Sequence, residues 1–161
     1  MNSVFQIRRA VSRDAEAIAK LATAAAAEEG ASALEVDRIK AHAFGSSPLF
    51  EAWVAQERRN SPLVAHAIIT KSYDMRRACP SLVLCELYVA PEFRRSGLAR
   101  KMMSAVAQRA RDLGARELAI TTGVENEVAQ RFFAAIGAHP RQAAVFMMSA
   151  DGIEWLAAEG L

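Results

Sequence analysis

Apolar positions recur along the chain with two different periods, and each change of period marks a new element. Val4 to Val11 reads as a first strand. After it the spacing turns helical, with Ile18, Leu21, Ala22 and Ala25 on one face. Ser12 is placed to cap this helix over about 13–29, Asp14 and Glu16 suit the positive end of its dipole, and Gly30 stops it. A shorter helix is expected from Leu34 to Ala43, anchored by Leu34, Ile39 and Phe44 and closed by the breakers Gly45, Ser46, Ser47 and Pro48. Leu49 to Gln56 and Leu63 to Tyr73 are strand-like and joined by a polar turn, which predicts an antiparallel hairpin. Ser81 to Ala90 is a third strand ending at Pro91. Beyond the loop Glu92 to Ser96, a helix is predicted from about Gly97 to Leu113, with Leu98, Met102, Val106, Ala110 and Leu113 as its buried stripe. Glu117 to Thr121 then reads as a strand, Asn126 to Ile136 as a helix stopped by Gly137, and Ala143 to Met148 as a last strand. Asp151 is placed to cap a final helical turn carrying Trp155 and Leu156. The order predicts a mixed α/β domain.

Composition changes this picture little. The 161 residues fit one domain, 1–161, and a hydrophobic content of 52% supports a core without metals or disulfides. Cys79 and Cys85 show neither metal spacing nor a disulfide framework, which fits reduced thiols in a cytoplasmic protein. His42, His66 and His139 lack paired ligand spacing and read as structural or exposed. Arg8, Arg9 and Arg13 interrupt any leader-like run, and no stretch reaches the roughly 20 apolar residues that span a bilayer. The net charge of +2 argues for neither nucleic acid nor a membrane as partner. Locally, however, seven bases (Arg94, Arg95, Arg100, Lys101, Arg109, Arg111 and Arg116) stand against two acids (Glu92 and Asp112), an excess that suits an anion or a solvated helix face.

The most informative stretch is Glu86-Leu-Tyr-Val-Ala-Pro-Glu-Phe-Arg-Arg-Ser-Gly-Leu-Ala-Arg100. A strand ends at a proline, a short basic loop follows, and a helix begins at a glycine. The first turn of a helix carries unpaired N–H groups and a partial positive charge, and glycine lets a phosphate approach the backbone closely. An ordinary strand-to-helix turn with solvated arginines is the alternative. The loop lacks the Gly-Lys-Ser/Thr ending of a nucleotide P-loop and the three glycines of a dinucleotide fingerprint.

Arg94-x-x-Gly97-x-Ala99 resembles the Gln/Arg-x-x-Gly-x-Gly/Ala signature of the GNAT superfamily of N-acetyltransferases. Leu87-Tyr-Val-Ala-Pro91 is similar to that family's strand before the loop, and Asn126-x-x-Ala129-x-x-Phe132-Phe133-x-x-x-Gly137 to its second block. Ile7-Arg8-Arg9-Ala10 followed by a helix resembles the family opening. The likeness implies an α/β GNAT-like fold, with a central, mostly antiparallel mixed sheet splayed in the middle and helices on both faces. It implies acetyl-CoA as acetyl donor, its pyrophosphate on the loop of Arg94, Arg95, Ser96, Gly97, Leu98, Ala99 and Arg100. Its pantetheine arm would lie against Leu87, Tyr88 and Val89, with Asn126 and Phe133 beside it. Thr70 to Asp74, the Glu86-Leu-Tyr-Val89 strand and the tail from Met147 to Leu156 resemble the diamine and polyamine acetyltransferase branch.

The implied reaction moves acetyl to a primary amine, on a small molecule or a peptide, by direct attack in a ternary complex. The Val89 N–H is the candidate to stabilise the oxyanion and Glu86 the candidate base, with Tyr88, Glu28 and Glu29 in reserve. Strand alternation leaves a second possibility open, in which Glu86 turns away and Cys85 and Leu87 face the thioester. Glu28 and Glu29 are the acids left to meet an amine, since Ala24 to Ala27 fill the rest of that stretch. Phe133 stands where many relatives carry the tyrosine that protonates the departing sulfur. This favours departure as thiolate, with a catalytically silent CoA-binding domain as the alternative. Trp155 is placed for a contact in a homodimer.

Overall fold

In the computed structural model, which describes residues 4–28, 30 and 35–160, the apolar runs become five strands and five helices. The chain forms two units, Met1–Gly123 and Val124–Leu161. The first holds β1 (Gln6–Arg9), α1 (Ala15–Glu28), α2 (Val36–Phe44), β2 (Glu51–Gln56), β3 (Leu63–Asp74), β4 (Cys79–Val89), α3 (Leu98–Asp112) and β5 (Leu118–Ile120). The strands lie in the order β1-β2-β3-β4-β5. All neighbours are antiparallel except β4 and β5, which run parallel because α3 carries the chain back across the sheet. The expected mixed, mostly antiparallel sheet is present.

Alternation along the strands sends neighbouring side chains to opposite faces, and each face meets its own helices. Ile18 of α1, with Ile39 and Phe44 of α2, packs on Ala52, Val54 and Ile68. Leu98, Met102, Met103, Val106 and Ala110 are the buried residues of α3, close to the predicted stripe. That helix is tied to the other face by Arg109, whose guanidinium makes two bonds to the buried Glu51 carboxylate, at 2.9 and 2.7 Å. Lys71 at 3.4 Å and Arg9 at 3.6 Å surround the same carboxylate. Arg109, counted among bases suited to an anion, is therefore engaged by the protein's own acid.

Two caps differ from expectation. Ser12 does not cap α1. It lies in a 3-10 turn, Ser12–Asp14, whose Asp14 carboxylate accepts the Val11 N–H at 2.8 Å and two bonds from Arg8, at 2.6 and 2.9 Å. Asp14 reaches the backbone more usefully because Arg8 holds it from β1. Leu34, expected to open the second helix, lies outside the described residues.

The Val124–Leu161 unit holds α4 (Glu127–Ala135) and α5 (Ala150–Glu159). Asn126 caps α4 by accepting the Ala129 N–H at 3.0 Å. Ser149, rather than Asp151, caps α5, accepting the Gly152 N–H at 3.2 Å. The strand expected over Ala143 to Met148 does not form, because a strand requires a paired ladder and this unit offers none among its described residues.

Removing Arg109 tests how α3 is held. Arg109→Ala leaves Glu51 buried against Lys71 and Arg9 alone, and should cost about 3 kcal/mol, the low end for breaking a buried pair. The midpoint of urea unfolding reads this loss. Arg109 holds the Glu51 carboxyl below its ordinary range. The wild-type contribution is thus full only above the ordinary glutamate value of 4.5 and is lost as pH falls from there through the depressed value. The gap between wild type and variant should close in that acid range.

Candidate active site

The loop between β4 and α3 owes its shape to two residues in the left-handed region. Arg94 is extended, at φ −68° and ψ 159°, Arg95 has φ +60°, and Gly97 has φ +80° and ψ 2°. Gly97 stands at the start of α3, where no side chain caps the helix. The Ser96 hydroxyl donates to the Phe93 carbonyl at 2.6 Å and lies 3.4 Å from the Leu98 nitrogen, too long to satisfy it well. A Cβ built on Gly97 would meet nothing within 4 Å. Glycine is needed there for backbone conformation, and the space beside it is open. Uncapped first-turn amides next to open space suit a phosphate.

The strand leading into the loop carries a second feature. The Ala90 N–H donates to the Val64 carbonyl at 2.9 Å, so Ala65 and Val89 face each other without exchanging bonds. The backbone groups of Leu87 and Val89 therefore turn away from β3, toward the side where β5 lies. But β5 matches β4 only from Leu82 to Leu84, so no strand among the described residues of this unit meets them. This is the splay that the family resemblance implies. The Val89 carbonyl is taken by the Arg94 Nε–H at 2.9 Å.

A bulge decides which way Glu86 faces. Glu86 pairs with Ile68, but Leu84 pairs with Ile69, so Cys85 is one residue extra in β4. Past the bulge Glu86 and Tyr88 share the α1 face with Ile68 and His66, while Leu87 and Val89 share the α3 face with Ala67 and Ala65. Simple alternation, which left the direction of Glu86 open, does not hold across this point.

The result is two neighbouring polar groups on the α1 face, His66 with Glu86 and Tyr88 with Glu28 and Arg94. His66, fully buried, places Nε2 2.8 Å from Glu86 Oε1, and the Glu86 side chain is 34% exposed. The Tyr88 hydroxyl donates to Glu28 Oε1 at 3.2 Å. Arg94 donates to that same oxygen at 2.6 Å, its guanidinium 5.5 Å from the centre of the Tyr88 ring. Burial and the neighbouring Glu28 carboxylate raise the Tyr88 pKa above its ordinary value, so the phenol keeps its proton at neutral pH. The two groups involve Glu28, Glu86, Tyr88 and Arg94, all singled out in the sequence, and Arg94 also reaches the Val89 carbonyl. Arg94 contributes differently from expectation: its guanidinium is engaged by Glu28 and Val89, leaving its backbone to the loop. His66 was read as structural and is the residue the sequence missed. Pairing counted from the turn sets it opposite Leu87, and only the extra residue at Cys85 brings it opposite Tyr88. Glu29 lies outside the described residues.

Asn126 and Phe133 belong to the second unit. There Asn126 caps α4, and the Phe133 ring lies 5.3 Å from that of Phe132, with no hydroxyl to offer. Among the described residues no group of three or more His, Cys, Asp or Glu could hold a metal ion, and no helix is long and apolar enough to cross a membrane.

A five-stranded sheet splayed between β4 and β5, beside a glycine-containing helix start, is the architecture of an acetyltransferase of the GNAT class. The chain belongs to the Acetyltransferase (GNAT) family, whose sequence profile matches residues 15–138. A search of curated protein sequences finds no match. Solved structures show the same fold at low identity. An integron cassette protein from the mobile metagenome of V. cholerae is 17% identical, with a TM-score of 0.83 over 98% of both chains. A ribosomal-protein-alanine N-acetyltransferase from Brucella melitensis biovar Abortus 2308 is 18% identical, with a TM-score of 0.73 over 91% of this chain and 100% of its own. The aminoglycoside N-acetyltransferase AAC(6')-Iy, solved in complex with CoA, is 21% identical, with a TM-score of 0.75 over 93% and 97%.

Arg94 joins the loop, the strand end and α1, and its substitution separates these roles. Arg94→Ala should lower stability by about 1–2 kcal/mol, most of it from the bond to the Val89 carbonyl, because the half-exposed ion pair with Glu28 is worth little. Arg94→Lys keeps the charge but loses the planar fork and should recover less than half of that in thermal unfolding.

Proposed function

We propose that this protein transfers the acetyl group of acetyl-CoA to a primary amine, with Glu86 as base and the Val89 N–H at the reacting oxygen. The observation that carries the reading is the bulge at Cys85. It sets a partly exposed carboxylate on the α1 face, three residues before the amide that β5 leaves unpaired. Acetyl-CoA, when bound, supplies an activated acyl group whose thiolate is a good leaving group.

The chain's residues supply the rest. An alkylamine with a pKa near 10.4 is only about 0.1% neutral at physiological pH, so its proton must be removed before attack. Glu86 takes that proton, directly or through a water. The Val89 N–H donates to the oxygen on which charge develops, a role that needs a fixed amide and no particular side chain. The first-turn amides of α3 and the loop from Arg94 to Gly97 hold the pyrophosphate. The sulfur leaves as thiolate, which requires no acid. The family profile runs from the first unit into the second, which supports reading the two as one acetyltransferase domain.

The acceptor reading favours a monoamine over a polyamine. Glu28 is already paired with Arg94, whereas Glu86 is bonded to an imidazole, so one of the two carboxylates is left to an ammonium. The aminoglycoside acetyltransferase among the similar folds supports a small-molecule amine as readily as the alanine acetyltransferase supports a peptide one.

A thiol-release assay with acetyl-CoA and a panel of monoamines, polyamines, aminoglycosides and peptides tests the proposal. Turnover is expected with a monoamine, and Glu86→Gln should reduce kcat by about 100-fold or more. No turnover with any acceptor, while CoA still raises the melting temperature, would instead favour the silent CoA-binding domain that Phe133 allows. Gly97→Ala should cost about 1 kcal/mol of stability through its left-handed conformation. It should also diminish the melting-temperature rise given by CoA, because its methyl group enters the open space beside the loop.

A further inference from the structure

We propose that His66 is a positioning residue for Glu86, held as the neutral imidazole with its proton on Nε2, and that it orients the carboxylate without taking the substrate's proton. This rests on the assignment of Glu86 as base. The argument starts from the two ring nitrogens, which have different surroundings. Nε2 lies 2.8 Å from Glu86 Oε1, and an ionised carboxylate only accepts, so the shared proton belongs to Nε2. Nδ1 is buried and has no hydrogen-bond partner among the described residues.

A doubly protonated ring would bury a charge and leave an Nδ1–H donor unmatched, both costly for a fully buried ring. The neutral tautomer leaves only a lone pair there. Its surroundings fit that state: the ring belongs to β3, lies opposite Tyr88 in the ladder, and sits 6.0 Å from the Tyr88 ring. Proton transfer therefore ends at Glu86: the amine N–H bond breaks, the O–H bond forms on the carboxylate, and His66 keeps the Nε2 proton throughout. By fixing Oε1, His66 restricts a side chain that would otherwise explore several rotamers, and leaves Oε2 for the amine or its water.

The test combines kinetics with nitrogen NMR on the full chain. His66→Phe keeps a flat ring and removes the donor, whereas His66→Gln keeps an N–H. The expected result is a kcat lowered about 10- to 100-fold in His66→Phe, the scale on which orienting partners act, with the KM for acetyl-CoA unchanged. His66→Gln should recover most of that loss. If His66→Phe turns over like wild type, or if His66→Gln is as impaired while equally stable, the proposal is overturned. In the wild-type protein at pH 7, the nitrogen resonances of His66, assigned by their disappearance in His66→Gln, should show a protonated Nε2 and a bare Nδ1. Protonation of both, or of Nδ1 alone, overturns the proposal even if the variants fail to fold. Glu86→Gln separates the two levels. Loss of activity there with a normal His66→Phe removes only the positioning role, and full activity there removes the base assignment and this inference with it.

Discussion

The chemistry of this fold depends on how β3 and β4 pair, and above all on the one residue by which their ladder is out of step. On either side of Cys85 the strands follow ordinary alternation. Across it the assignment of side chains to faces is reset, and everything from Glu86 to Val89 inherits the new setting. Three consequences meet within four residues: a carboxylate beside a buried imidazole, a phenol reaching α1, and backbone groups turned toward the gap that β5 leaves. None requires a special loop or a bound ion, because the scaffold's own hydrogen bonds set the geometry.

Two arginine–carboxylate pairs then fix what the sheet presents, and they differ in kind. Arg109 and Glu51 are largely removed from water and hold a helix against the sheet, with Lys71 and Arg9 adding charge around one acid. Arg94 and Glu28 are each about half exposed, so their mutual attraction is weak. Their importance lies in position. Arg94 begins the turn that precedes α3 and reaches both the end of β4 and the end of α1, so the loop, the strand end and that helix share one side chain.

Much of this was legible in the sequence. The helices appeared at nearly their true limits because each carries a strong apolar stripe or an evident breaker, and the hairpin followed from alternation around a polar turn. The loop signature named the family and the residues of the helix start. Less was legible where a distant partner decides the outcome. Ser12 looks like a cap until Arg8 brings Asp14 to the task. Ala143 to Met148 has the composition of a strand, yet strand composition describes a side-chain preference, and a ladder needs a neighbour. His66 reads as structural or exposed because its partner is 20 positions away, and the intervening bulge breaks the count that would have joined them. Glu86 was proposed on the family pattern, and its direction followed only from the register.

The gap beside Leu87 and Val89 has an evolutionary side. A site that recognises its ligand through main-chain amides leaves almost no imprint on the residues that form it, since any amino acid with an N–H presents the same donor. Side chains along that edge can drift while the recognition persists, and only proline is barred outright. Solved structures at 17–21% identity can therefore share this fold.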